Sequence, residues 1–347
     1  MLQGKRFMLS FLFTNTLGFI GMIGSSLIIG VTIYKVLKIS QVNKINTYQD
    51  FCNLIGNKKL VNFLSNNIAV ILNNVVNIFL LITYFVMIAG FSSFMKQEFN
   101  LNGFFASTII IVTCYFIFLR NVSGLIKISN YLIPILIAFI FYISLKNIDF
   151  INNYNNIFNH QLNNATSAIS IFSNNFATIN LIIKALVKSV LYASYNCIIL
   201  IPVLITLNSK IKSKNNIIPI AIASTLILTL LSFAIYNILS QGNVEQFNLE
   251  MPIIDIVKKY GLIYKNAYLL IIGISIFTTA ISSGCGFLNN CSKDEKTFKR
   301  NLILMSISAI FLSQIPFSTL VNLLYPVLGI VGIFEIIVIF LWKPCKN

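Results

Sequence analysis

Hydroxyl side chains recur at helical spacing along an apolar block at residues 265–286. Hydroxyl oxygens are hard ligands that suit a cation such as Na⁺. Small hydroxyl residues also allow two membrane helices to approach closely, so helix packing is the alternative. The residues predicted to bind an ion are Thr278, Thr279, Ser282 and Ser283.

A second polar group lies inside the apolar block at residues 183–207. Ser194, Tyr195 and Asn196 occur in succession, and Pro202 follows six residues after Asn196. Polar side chains and proline are tolerated at membrane depth where the freed backbone groups find new partners or line a cavity. We therefore expect the helix to be interrupted between about residues 192 and 198. The alternative is a continuous, proline-kinked helix in which Asn196 bonds to a neighbour.

A third group lies in the block at residues 66–90, where Asn66, Asn73, Asn77 and Tyr84 share one narrow helical stripe. Amide groups in hydrocarbon are costly unless they are paired, so the stripe must face protein or water. It could form the wall of a pathway with Tyr84 near a binding site. Hydrogen bonding between helices is the alternative, and it is favoured for Asn66 and Asn73.

One acid, Glu335, lies within the last apolar block, about two helical turns before Trp342. Its carboxylate could extend to the inner membrane interface, which is the simpler interpretation. The other interpretation is a coupling acid that binds a proton or a cation, because acids inside membrane spans are functional candidates.

The composition excludes several other classes. Charged residues make up 10% of the chain against 57% hydrophobic residues, and several apolar blocks exceed the length that crosses a bilayer. The Lys and Arg residues behind the net charge of +16 lie between these blocks, which argues against nucleic acid and for a lipid bilayer. The six cysteines and His160 form no metal-binding spacing. We expect no catalytic residues, no bound metal or other cofactor, and no enzymatic activity.

The apolar blocks predict about nine membrane helices in an all-α membrane protein, within a single transmembrane domain over residues 1–347. Most of the 25 Lys and Arg residues fall on the inner side when residues 37–65 are placed in the cytoplasm. The C-terminus is then cytoplasmic and the Asn-rich loop at 148–182 is external. The predicted helices lie at 15–36, 66–90, 104–120, 127–145, 183–207, 217–239, 265–286, 301–315 and 319–342.

Several segments resemble the YkvI-like bacterial membrane proteins, which belong with the amino acid–polyamine–cation transporters of the LeuT fold. The resemblance is carried by TYQDFCNLIGNK (47–58), ITYFVMIAGFSSFMKQEFNL (82–101), KISNYLIPILIAFIFYISLKN (127–147), SVLYASYNCIILIPVL (189–204) and IFTTAISSGCGFLNN (276–290). That fold is built from two inverted repeats of five helices, ten in all. The resemblance implies a truncated first repeat at 1–147 and a second repeat at 183–342.

The resemblance also implies a site. It makes Ser194, Tyr195 and Asn196 substrate-facing, together with Tyr84, and it places a sodium site beside the hydroxyl stripe. Residues 4–13 resemble the tail of the family's first helix, so most of that helix is expected to be missing and the 347-residue chain to transport little or nothing.

The leading expectation is a secondary transporter in the bacterial cell membrane, or a degenerate relic of one. It would move a small amino acid-like or cationic solute, with possible coupling to Na⁺ or H⁺. The alternative is a non-transporting membrane protein that acts as an assembly or sensing partner, which the missing half-helix favours.

Overall fold

The computed structural model describes residues 16–45, 47–56, 68–120, 123–146, 176–208, 211, 216–239, 245–246 and 249–342. Every regular element in these residues is helical, and they contain no strand. The predicted all-α class is therefore confirmed. Asn66, residues 4–13 and most of the loop at 148–182 lie outside the described residues.

Eleven α-helices follow one another along the described chain. They are α1 (Thr16–Val42), α2 (Tyr48–Gly56), α3 (Ile68–Phe99), α4 (Gly103–Phe118), α5 (Ser123–Lys146), α6 (Phe176–Leu207), α7 (Ile217–Leu239), α8 (Pro252–Lys258), α9 (Leu262–Cys291), α10 (Glu295–Leu312) and α11 (Phe317–Leu341).

Six of these helices, α1, α3, α6, α7, α9 and α11, are long and apolar enough to cross a membrane. Helix α4 and the Ile133–Lys146 part of α5 are apolar but shorter. A helix lies at each of the nine predicted blocks, while α2 and α8 are short additional helices. The chain is therefore a multi-pass membrane protein.

The fold divides into two compact units. The first unit contains the described residues of 77–148 and 234–324, and the second contains those of 11–76, 149–233 and 325–347. In the first unit α9 packs against α4, α5, α8 and α10. In the second unit the main packing is between α1 and α6, and α2 also contacts α6.

Charged side chains hold the helix ends of the first unit. Lys265 of α9 pairs with Glu98 of α3 at 2.7 Å, and the Glu98 side chain is 6% exposed. At the start of α11 the backbone N–H of Ser318 donates to Glu250 at 2.8 Å, and the Ser318 hydroxyl donates to the same carboxylate. An acid at this position satisfies a helix N–H that has no partner within the helix and opposes the helix dipole.

The core of the second unit is built from branched aliphatic side chains, including the fully buried Val36, Ile201 and Ile339. Two polar contacts fix its helix ends. Asn208 donates to the carbonyl of Ile45 at 3.0 Å, which ties the end of α6 to the α1–α2 turn. Lys35 donates to the carbonyl of Phe340 at 2.8 Å, near the C-terminus of α11, where the helix dipole favours a cation.

Candidate functional site

Glu335 is the only charged residue of α11, and the helix carries it into the core of the second unit. Only 3% of its surface is exposed. The hydroxyl of Tyr48 donates to its Oε1 at 2.9 Å. The carboxyl is therefore enclosed within the second unit, where α2 covers it. Whether it lies near the inner membrane interface stays a prediction.

Helix α2 is amphipathic, and the packing of its apolar face on the core positions Tyr48. Phe51 and Cys52 are fully buried, whereas Asp50 and Asn53 are exposed. Tyr48 begins the helix on the buried side, where its hydroxyl reaches α11. Burial raises the pKa of Tyr48, and the Glu335 carboxyl raises it further, so this hydroxyl keeps its proton and stays a donor.

Two thiols lie in the electrostatic environment of Glu335. Cys52 of α2 and Cys197 of α6 are both fully buried, and each interacts with the acid. Burial raises the pKa of Cys52 to about 12, while a hydrogen bond with Tyr48 opposes this shift. The described groups that interact with the acid are thus two uncharged thiols and one phenol.

No described cation neutralises Glu335. The two ion pairs among the described residues are Lys265–Glu98 and Lys299–Glu295. Lys35 donates to a backbone carbonyl of the same helix instead of to the acid. An ionised carboxylate in apolar surroundings costs several kcal/mol unless a partner offsets its charge. The site is therefore suited to binding a proton or an incoming cation.

The predicted interruption of α6 is wrong, because residues 176–207 form one uninterrupted α-helix that contains Pro202. The polar side chains bond back onto their own helix instead of unwinding it. The hydroxyl of Ser194 donates to the carbonyl of Val190, and the amide of Asn196 donates to that of Tyr192 at 2.6 Å. Bonds to the preceding turn satisfy a polar side chain without breaking the backbone ladder.

Helices α6 and α11 approach each other closely at Gly332. A Cβ added there would lie 2.3 Å from the carbonyl oxygen of Ser194, so only glycine permits this contact. One turn earlier, a Cβ on Gly329 would lie 3.0 Å from the carbonyl oxygen of Leu191. Glu335 follows Gly332 by three residues, about 4.5 Å along the helix axis. The close contact therefore fixes the position of Glu335 along the axis of the neighbouring α6.

Tyr195 lies in a cluster of three tyrosines at the α6–α11 contact. Its ring centroid is 4.7 Å from that of Tyr325 and 5.4 Å from that of Tyr192. All three residues are half-buried. The structure thus brings Tyr195 into contact with α11. The side chains of Ser194 and Asn196 instead form hydrogen bonds within α6.

Tyr84 is fully buried in the first unit, and its hydroxyl has no hydrogen-bond partner among the described residues. Its ring packs beside Phe118, with centroids 6.1 Å apart, and against α9 at Gly284. About two turns earlier on α3, Asn77 accepts a hydrogen bond from Asn290 of α9 at 2.9 Å. The stripe therefore contains a bond between helices at Asn77 and an unsatisfied hydroxyl at Tyr84.

The predicted ion-binding residues all lie on α9, near Tyr84 in the chain's first unit, but they face different directions. Thr278 and Ser283 are buried at 4% and 5% exposure, whereas Thr279 is exposed and Ser282 is half-buried. Their hydroxyl protons are donated to carbonyls of the preceding turn, Thr279 to Ser275 and Ser282 to Thr278 at 2.7 and 2.8 Å. No group of acidic, cysteine or histidine ligands suited to a metal occurs among the described residues.

No family model, curated protein or solved structure matches the chain. Function must therefore be inferred from the side chains themselves. Sequence inspection did not single out Tyr48, which holds the acid, or Tyr325, which completes the tyrosine cluster. The arrangement of apolar and polar residues across 48–53 is the signal that points to Tyr48, because it predicts which face of α2 meets the core.

Proposed function

We propose that this chain is a secondary transporter for a small amino acid-like or cationic solute, in which Glu335 is the coupling acid. The observation that carries the proposal is a buried carboxyl within a candidate membrane helix, with a hydroxyl donor but no described counter-ion. Such acids mark proton and ion pathways in membrane proteins. In this proposal the protein catalyses no covalent reaction.

The surroundings of Glu335 favour a proton or the positively charged group of a solute as the coupling species, rather than Na⁺. Na⁺ is a hard cation that is held by several oxygen ligands. The described neighbours of the carboxyl supply one phenol oxygen from Tyr48 and sulfur from Cys52 and Cys197. The hydroxyl groups at 278–283 remain the proposed alternative for Na⁺, with Thr278 and Ser283 as its buried members.

A second candidate function is a non-transporting membrane partner in assembly or sensing. The uninterrupted α6 favours it, because transporters built from inverted repeats commonly bind solute at broken helices. In that case Glu335 and Tyr48 serve only to fix α2 against α11.

Reconstitution of the full chain into proteoliposomes separates the two candidates. Radiolabelled amino acids, choline and putrescine are offered one at a time under an inward proton gradient, an inward Na⁺ gradient or neither. The resemblance implied little or no transport by this chain, whereas the buried carboxyl predicts the opposite. We expect at least one solute to accumulate saturably, and only under one of the gradients. If no solute of the panel exceeds protein-free liposomes, transport is rejected for this panel and the non-transporting candidate is favoured.

Two matched variants assign the coupling role. Glu335→Gln removes the charge with little change in shape, and we expect it to abolish gradient-driven accumulation. Glu295→Gln is the control, since Glu295 is an exposed acid paired with Lys299 four residues on, and such pairs contribute little. Equal loss in both variants, or in neither, would count against Glu335 as the coupling acid.

A further inference from the structure

The three tyrosines of α6 and α11 lie where a membrane-embedded binding site is expected. Tyr195 is at the centre of the candidate span Leu186–Ile205, and Tyr192 precedes it by one turn. Tyr325 comes from the neighbouring α11. We call Tyr192, Tyr195 and Tyr325 the tyrosine platform.

The geometry of the platform is fixed by the backbone beneath it. Gly329 and Gly332 let α11 approach the carbonyls of Leu191 and Ser194, and this close contact sets the spacing of the two helices at this level. Tyr192 meets Tyr195 edge-on at 76°, and Tyr195 is tilted by 40° to Tyr325. A rigid arrangement of ring faces and edges loses little freedom when a ligand binds.

Packing alone does not account for these residues. Each residue is half-buried, so none of the three is fully enclosed by the described residues. Among the described residues no hydrogen bond involves the hydroxyl of Tyr192 or of Tyr325, although both lie in apolar candidate membrane helices. Tyrosine hydroxyls at such depth need a partner or a hydrated cavity. The platform therefore has unused aromatic surface and unused polar groups together.

Aromatic faces attract cations through the ring quadrupole, and quaternary ammonium groups are the ligands that clustered aromatic rings recognise best. Glu335 lies ten residues beyond Tyr325 on α11, about 15 Å along the helix. The second unit thus contains an aromatic surface between α6 and α11 and, further along α11, an acid without a described counter-ion. Both features favour an organic cation over an anionic or uncharged solute.

We propose that the tyrosine platform binds the quaternary or tertiary ammonium group of a small organic cation. As an assignment of the transported solute this rests on the proposed transport function. As a binding site it is independent of transport and is tested by equilibrium binding.

The experiment uses the purified full chain in lipid nanodiscs and isothermal titration calorimetry. The probes are choline and its neutral carbon isostere, 3,3-dimethyl-1-butanol, which has the same shape without the charge. We expect choline to bind at least tenfold more tightly than the isostere. Equal affinity of the two probes, or no binding of either, would overturn the proposal.

Substitutions locate the site. Tyr195→Phe keeps the ring face and should change choline affinity by less than about threefold, whereas Tyr195→Leu should weaken it at least tenfold. Tyr142→Leu is the control, because Tyr142 is an exposed tyrosine stacked on Tyr264 in the first unit. If Tyr195→Leu binds choline as the unchanged protein does, the platform is not the site. Should Tyr195→Leu fail to fold, Tyr325→Leu takes its place.

The two proposals fail in different ways. Choline binding without accumulation in proteoliposomes would leave the platform standing and reject transport of the bound cation. Accumulation of an uncharged or zwitterionic amino acid, with no choline binding, would leave transport standing and reject the platform.

Discussion

A carboxylic acid in an apolar helix cannot remain charged and unpaired, because the cost of removing the charge from water exceeds the stability of an ordinary helix contact. Glu335 meets this problem with one hydroxyl donor, Tyr48, and no described cation. The remaining charge must be offset by a proton or by a ligand. The proposed coupling requires a residue of this kind, whose charge state depends on what its surroundings supply.

The thiol of Cys52 provides a test at the residue scale. Its pKa is raised to about 12 by burial, so the reactive thiolate forms only as the pH approaches that value. At about pH 8 the thiolate fraction is about one in ten thousand. We expect N-ethylmaleimide to modify the exposed Cys291 of the folded protein and to leave Cys52 unmodified, as measured by peptide mass spectrometry.

The denatured protein is the control, in which both thiols should react. Modification of Cys52 at the rate of Cys291 in the folded protein would show that α2 does not cover the acid.

At the element scale, α6 and α11 pack closely because Gly332 has no side chain. Gly332→Ala forces a Cβ toward the carbonyl of Ser194 and should lower the free energy of unfolding by about 1–3 kcal/mol. Gly24→Ala is the matched control, because nothing lies within 4 Å of its added Cβ. There the substitution should leave the stability unchanged or raise it by about 0.5–1 kcal/mol.

Thermal unfolding of the two alanine variants in the same detergent makes the comparison. A loss of stability of the same size in both would mean that the α6–α11 contact is not close at Gly332.

The same elements show what the sequence could predict. Long apolar blocks predicted the helices, because crossing a bilayer requires length and hydropathy that are visible in the residues. The state of α6 could not be predicted, since Ser194 and Asn196 can bond either to a solute or to the preceding turn. Only the folded backbone distinguishes these alternatives. The burial of Glu335 could not be predicted either, because it depends on Tyr48 of α2. These two residues are 287 positions apart in the chain.

At the scale of the whole molecule, the distribution of Lys and Arg predicts the orientation in the membrane. A reporter fused after Asn347 should indicate a cytoplasmic location, and one inserted at Asn155 an external location. Paired alkaline phosphatase and green fluorescent protein fusions measure this, because each is active on one side of the membrane only. Both positions on the same side would contradict the nine-helix topology.

The proposed transport depends on Glu335, which would couple an ion gradient to the movement of a solute. The most direct measurement compares two reactions of Glu335→Gln in proteoliposomes: accumulation driven by a gradient, and exchange of labelled for unlabelled solute without a gradient. We expect exchange to persist and no longer to depend on pH, while accumulation is lost. Glu295→Gln should retain both reactions. Accumulation by Glu335→Gln at the rate of the unchanged protein would contradict the proposed role of Glu335.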